Sequence, residues 1–254
     1  MLLYLIQKML DGFFAAIPRS RPCTKNINET LVIAHRGGHS NAAGNFENTN
    51  EAFRRAEEAG CWGIEFDVHT TLDGVYVINH DPTLKRLWGY DVAIANLSFK
   101  ALRALEPRIP TLQEIISEFG KKMHLFIELK NSVINEKTLF DELHGLTPGV
   151  DYHLITLKAS IISNLTQFPK KSLVLVAGHN NVNFFCNLSI NHQYGGVLGS
   201  YLLFSKKQIE ALKNANQLCG LGFVDSKNSL YREINRGVSL VFSNQAVKVV
   251  QYLR

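Results

Sequence analysis

Several features are missing from this chain, and each absence narrows what it can be. Its four cysteines, Cys23, Cys61, Cys186 and Cys219, show neither C-x-x-C spacing nor a dense framework, which leaves reduced, mostly buried thiols in a cytosolic protein. No arginine-rich run or aromatic-interleaved basic stripe accompanies the formal charge of +5. That charge comes from scattered Lys and Arg, apart from the pairs Lys121-Lys122, Lys170-Lys171 and Lys206-Lys207. Anionic partners are favoured in general, and nucleic acid is argued against. No linker, internal repeat or low-complexity tract breaks the 254 residues, so the expectation is a single domain. Long hydrophobic runs are also missing. The most apolar stretch, residues 1–17, is interrupted by Lys8 and Asp11, and it lacks a basic n-region and a small-residue cleavage site before Pro18. It is also shorter than a membrane span.

What is present is a series of short apolar runs with ionisable residues at or near their ends. Leu31 to Ala34 runs into His35, Trp62 to Ile64 into Glu65, Val75 to Ile78 nearly into His80, and Met123 to Ile127 into Glu128. Short β-branched and aromatic-rich runs read as buried strands. Period-two alternation then points Glu65 and Asp67 to one face and Ile64 and Phe66 to the other, and separates Glu128 and Lys130 from Ile127 and Leu129 in the same way. Asp73-Gly74 between two extended runs signals a two-residue type I′ hairpin. Counting back from it pairs Leu72 with Val75 and sets Asp67 opposite His80.

Helical patterns fall between most strands. Glu51 to Ala59 ends at Gly60, Ser98 to Leu105 is a short helix, Thr111-x-x-Glu114 opens a helix to about Gly120, and Ser205 to Ala215 forms another. Further strands are expected at Tyr152 to Leu157, Ser172 to Ala177, Gly196 to Ser200, Leu218 to Val224 and Val238 to Ser243. The alternation implies parallel strands joined by crossover helices, and a closed (β/α)8 TIM barrel with one surplus strand in the hairpin. Functional groups of such barrels lie at the C-terminal strand ends. Residues 1–17 then read as an amphipathic helix ended near Pro18 and packed across the closed end of the barrel; an interfacial membrane anchor and, behind it, a signal peptide are the alternatives.

Glu65, Asp67 and Glu128 are three hard oxygen ligands without a thiolate nearby, which suits Mg²⁺ or Ca²⁺. Arg36 and Lys130 bring positive charge to the same rim, and Arg matches phosphate bidentately. His35 and His80 supply an acid and a base near neutrality. A phosphodiester is the substrate that needs all of these.

The same residues, His35-Arg36-Gly37, Glu47-Asn48-Thr49, Glu65-x-Asp67, Thr71-x-Asp73-Gly74, His80-Asp81, Ile109-Pro110-Thr111-Leu112 and Glu128-x-Lys130, resemble the glycerophosphodiester phosphodiesterase family, of the PLC-like phosphodiesterase superfamily in bacteria. Order and spacing agree from about residue 31 to 130. The resemblance implies a PLC-like TIM barrel over residues 31–254, preceded by a helix and linker over 1–30, with the hairpin at the active-site rim. It implies cytoplasmic hydrolysis of glycerophosphodiesters to sn-glycerol 3-phosphate and an alcohol, in glycerophospholipid catabolism. It also implies one divalent cation on Glu65, Asp67 and Glu128, acid/base catalysis by His35 and His80, and phosphate contacts from Arg36 and Lys130. Which histidine is the acid stays open. Glu47 either supports the site or orders the first loop.

The distal half departs from the family pattern. Phe223-Val224-Asp225-Ser226 stands where Trp-Thr-Val-Asn is usual, and Gly237 to Asn244 replaces Gly-x-Asp-Gly-Ile-x-Thr-Asp. These positions are expected at the alcohol end of the substrate, with Phe223 as an apolar wall or as core. His39, His69, Trp62 and Trp88 are expected near the rim. A lysophospholipase D activity, helped by membrane contact through residues 1–17, and a non-catalytic phosphodiester or membrane-binding barrel are the rival readings.

Overall fold

The computed structural model describes residues 2–130 and 135–254, residues 2–8 as backbone only. Nine strands run in chain order: β1 (Leu31–His35), β2 (Gly63–Thr70), β3 (Tyr76–Ile78), β4 (His124–Leu129), β5 (Tyr152–Thr156), β6 (Leu173–Ala177), β7 (Gly196–Ser200), β8 (Leu218–Gly222) and β9 (Leu240–Ser243). All pairings but one are parallel, and β1 pairs with both β2 and β9. Eight strands therefore close into a barrel, the TIM architecture expected from the alternating pattern. β3 lies outside the ring, antiparallel to β2.

The helices are α1 (Leu2–Ala16), α2 (Thr24–Asn28), α3 (Asn50–Ala59), α4 (Lys85–Trp88), α5 (Phe99–Leu105), α6 (Leu112–Phe119), α7 (Glu136–Glu142), α8 (Ala159–Ser163), α9 (Val182–His192), α10 (Lys206–Asn214), α11 (Lys227–Asn235) and α12 (Ala246–Gln251). Local chemistry sets several of their boundaries. Thr49 accepts from Ala52 N at the start of α3, Gly60 closes that helix in the left-handed region, and Thr111 with Glu114 forms the capping box of α6.

Strand alternation divides the apolar residues into two layers. Ile33, Phe126, Ile155, Val174, Leu198, Leu240 and Phe242 fill the barrel interior. Their strand neighbours, among them Ala34, Ile64, Phe66, Leu125 and Ile127, pack outward under the helices. Toward the N-terminal strand ends, Trp62 stacks on His124, whose Nε2 lies 2.7 Å from His153 Nδ1. Trp62 therefore belongs to the end of the barrel opposite the strand C-termini, because it precedes β2.

Two local expectations are corrected. β2 continues to Thr70 instead of stopping at Glu65, because its last residues pair with β3 beyond the ring. The hairpin register is one residue off the expected one: Val68 pairs with Ile78 and His69 with Val77, so Asp67 faces Asn79, whose N–H donates to Asp67 O. The reason lies in the turn. Thr71 N donates to Val75 O, so Leu72, Asp73 and Gly74 form a three-residue loop, with Gly74 at φ 86°. Thr71 Oγ1 braces it by donating to Asp73 and accepting from Val75 N.

The N-terminal segment also differs from expectation. The α1 helix does not cross the closed end; it packs beside α11 on the flank. Tyr201 donates to Asp11, Asn228 Nδ2 donates to Ala15 O, and the Arg232 guanidinium lies 4.3 Å above the Phe14 ring. Tyr201 follows β7 and Asn228 opens α11, which places this contact near the C-terminal strand ends. Met9, Leu10 and Phe13 remain exposed. No described helix is long and apolar enough to cross a membrane.

Phe126 is fully buried between the His153 ring, stacked at 5.5 Å, and Phe242, edge-on at 4.9 Å. Phe126→Ala should lower stability by about 3–5 kcal/mol, seen as a reduced urea midpoint. An unchanged midpoint would show that this ring does not support the barrel.

Candidate active site

At the C-terminal strand ends a cavity of about 340 Å³ opens, lined on one side by His35, Arg36, Glu65, His80, Glu128 and Lys130. Its other side is apolar, with Ile155, Val176, Leu198 and Phe223 among its walls. Register explains the polar side. His35 pairs with Glu65, and Asp67 with Glu128, while Glu65 sits level with Phe126. Glu65 is thus one layer deeper in the barrel than the other two carboxylates.

Those carboxylates are 2%, 1% and 7% exposed for Glu65, Asp67 and Glu128, and each offers an oxygen within 4.8 Å of the others. Such a cluster is costly unless positive charge compensates it. Lys130 Nζ forms ion pairs with Asp67 Oδ1 at 2.7 Å and Glu128 Oε1 at 2.6 Å. Arg36 Nε lies 3.5 Å from Asp67 Oδ2, and Asn48 Nδ2 donates to the same oxygen at 2.8 Å. Arg36 N donates to Glu65 Oε2 at 3.1 Å, which leaves Glu65 Oε1 buried without a hydrogen bond among the described residues.

The titration of these groups follows from their surroundings. Burial, then repulsion from Asp67 and Glu128, pushes the Glu65 carboxyl well above the usual range. Glu128 is raised by burial and by Asp67. Burial opposes ionisation of Asp67 too, but Lys130 and Arg36 outweigh it and hold this carboxyl low. Three carboxylates against two cations leave net negative charge and a bare buried oxygen. A hard divalent cation bound to Glu65, Asp67 and Glu128 fits this site, since all three donors are oxygens.

The two histidines differ in their supports. His35 Nδ1 lies 2.7 Å from Asn244 Oδ1, and its Nε2 lies 3.7 Å from Glu65 Oε2. Burial, with Arg36 adjacent, lowers its pKa to about 4. His80 Nδ1 lies 2.9 Å from Asp81 Oδ1, a carboxylate that also pairs with Arg86. Burial lowers His80 as well, against the pull of Asp67.

Glu47 ties the two sides together. Arg36 Nη1 donates to its Oε1 at 3.0 Å, Arg86 Nη2 to the same oxygen at 2.6 Å, and Asn41 Nδ2 to Oε2 at 2.7 Å. Backbone strain gathers here as well. Arg36 and Phe223 hold left-handed conformations at φ 57° and 65°, disfavoured for side chains of their size, and Asn48 holds one at φ 59°, which asparagine tolerates.

His35, Arg36, Glu65, Asp67, His80, Glu128 and Lys130 are thus brought together. Glu47 stands behind Arg36, and Phe223 meets the His35 ring edge-on at 5.6 Å. Asn244 and Asp225, expected toward the substrate's alcohol end, lie behind His35 instead. Asn48 stands within the Glu47-Asn48-Thr49 motif, which by itself gives it no role, and nothing in the spacing of Arg86 and Asn41 marks them. His69 Nε2 donates to His80 O at 3.1 Å, and Trp88 Nε1 donates to Asn79 Oδ1 at 2.9 Å; both brace the hairpin side.

A profile of the Glycerophosphoryl diester phosphodiesterase family matches residues 35–150. The chain is 26% identical to a glycerophosphodiester phosphodiesterase of Caldanaerobacter subterraneus subsp. tengcongensis, over 89% of this chain and 98% of that one. It is 29% identical to mouse glycerophosphodiester phosphodiesterase 1, but spans only 58% of that protein and aligns over 66% of its own length. Its fold matches an Oleispira antarctica phosphodiesterase solved with the product sn-glycerol-3-phosphate, at a TM-score of 0.73 and 21% identity over 88% of this chain and 96% of that one.

Glu47 is only 4% exposed. Burial would raise its carboxyl, but Arg86 and Arg36 outweigh it and pull the pKa from 4.5 to about 2. A depressed folded-state value means stability present above pH 4.5 and lost as the pH falls toward 2. Glu47→Gln should therefore cost about 3 kcal/mol near neutral pH, and less than half of that near pH 3, in denaturation curves of both proteins. A gap independent of pH would remove the ion-pair explanation.

Proposed function

Because the chain belongs to the glycerophosphodiester phosphodiesterase family, we propose that it hydrolyses glycerophosphodiesters to sn-glycerol 3-phosphate and an alcohol, using a divalent cation, Mg²⁺ or Ca²⁺, bound by Glu65, Asp67 and Glu128. The observation that carries this reading is the placement of two imidazoles, a guanidinium and an ammonium around three buried carboxylates at one cavity mouth. When bound there, the cation polarises phosphoryl oxygen and neutralises developing charge. Arg36 and Lys130 hold the remaining phosphate oxygens.

His35 faces a neutral amide and stays unprotonated near neutrality, which suits it to take the proton from the attacking hydroxyl or water. His80 lies against the Asp81 carboxylate, which stabilises an imidazolium; it delivers its proton to the alkoxide as the phosphorus–oxygen bond breaks. Glu47 fixes Arg36 from behind, and Phe223 packs against the His35 ring while facing the cavity. Free cysteines at all four positions support work in a reducing compartment such as the cytoplasm.

The apolar wall of the cavity supports a second reading, in which the departing alcohol carries an acyl chain and the substrate is a lysophospholipid. The exposed Met9, Leu10 and Phe13 of α1 are consistent with a lipid surface.

Purified protein should release glycerol 3-phosphate from glycerophosphocholine, lose that activity in chelator, and regain it with Mg²⁺ or Ca²⁺. His80→Ala should lower kcat by about 10²–10⁴-fold, and Glu65→Gln should abolish the activity that Mg²⁺ or Ca²⁺ restores after chelation. Faster turnover of lysophosphatidylcholine would select the second reading; turnover of neither substrate would overturn both.

A further inference from the structure

Behind His35, away from the cavity, stands a polar chain that reaches across three strand ends. His35 Nδ1 meets Asn244 Oδ1 at 2.7 Å, and Asn244 Nδ2 donates to Asp225 Oδ2 at 3.2 Å. The other oxygen of that carboxylate, Oδ1, accepts from Ser243 Oγ at 2.7 Å and from Asn244 N at 2.9 Å. Ser243 Oγ itself accepts from Gln245 N, so its own proton is committed to Asp225. Every donor at Oδ1 is thus fixed, and Oδ2 faces the Asn244 side chain.

An ionised carboxylate only accepts hydrogen bonds, whereas an amide has a donating and an accepting end. Asp225 therefore selects the donating end of Asn244, and the accepting end must turn to His35. A ring nitrogen facing an acceptor has to carry the proton. We propose that Asp225, acting through Asn244, is a positioning residue that holds His35 in the Nδ1–H tautomer, with the Nε2 lone pair presented to the cavity. The inference rests on the reading of His35 as the proton acceptor, and it deepens that reading by naming what orients the acceptor.

Asp225→Asn puts the chain under a sharp test. The Ser243 hydroxyl and the Asn244 N–H keep the carbonyl end of the new amide, so its NH2 replaces Oδ2. Two NH2 groups cannot face each other, and Asn244 must turn its own NH2 toward His35. The ring proton is then driven to Nε2, which blocks the base. The exchanged pair Asp225→Asn with Asn244→Asp removes the conflict, because a carboxylate at 244 accepts from both neighbours.

Long-range ¹H–¹⁵N spectra at neutral pH should show wild-type His35 protonated at Nδ1, D225N with the proton at Nε2, and the double variant D225N/N244D returned to Nδ1. With glycerophosphocholine, D225N should lose about 100-fold in kcat with KM within about twofold, and the double variant should recover most of it. Wild-type His35 protonated at Nε2, an unchanged tautomer in D225N, or a loss confined to KM would overturn the proposal. The spectra decide it even if glycerophosphocholine proves not to be turned over, which separates this inference from the proposed activity.

Discussion

The constraint on which the structure depends is the convergence of Glu65, Asp67 and Glu128 in the low-dielectric interior of a closed barrel. Three carboxylates buried together repel one another and lose their hydration. Lys130 contacts two of them, Arg36 reaches two through its side chain and backbone, and Asn48 donates to Asp67. The compensation is incomplete, and the deepest carboxyl, Glu65, is the one whose ionisation is most disfavoured. A site held in that state has an unmet demand for positive charge, which a hard cation and a cationic cradle for phosphate together satisfy.

The surrounding groups are arranged around that demand. Arg36 can serve the carboxylates only while it is held extended over them, and Glu47 holds it. The same Glu47 anchors Arg86, which pairs with Asp81, which in turn supports His80. The chain from Arg36 to His80 is thus one connected charge network. His35 lies beside Arg36 and Glu65, but its Nδ1 is tied to an uncharged amide from the far end of the chain. The two imidazoles consequently face different fields although they share one cavity.

Much of this was legible in the sequence because it rests on local rules. Period-two alternation put Glu65 and Asp67 on one face of β2, and a capping box marked α6. The helix–strand alternation implied a parallel barrel with an extra hairpin. Where the reading slipped, a small energy decided between near-equal choices. Thr71, by bonding Asp73 and Val75, selected a three-residue turn over a two-residue one, and the register moved by a single residue. α1 is amphipathic wherever it lies, so its pattern said nothing about which surface of the barrel would cover it. Trp62 is close in sequence to Glu65 but enters β2 from the end opposite the rim, a distinction that only strand direction makes.

By itself the sequence determined the class of fold, the faces of the strands and the inventory of ligands and proton carriers, since each follows from residues a few positions apart. Tertiary structure alone decided what stands behind those groups. Asn244 meets His35 across 209 residues, Arg86 meets Glu47 across 39, and Tyr201 meets Asp11 across 190. No local periodicity encodes such pairs. The first arises only when closing the barrel brings β9 against β1, and the other two only when α4 and α1 pack onto the segments that follow β1 and β7, because hydrogen bonds depend on distance and direction in space and not on separation along the chain.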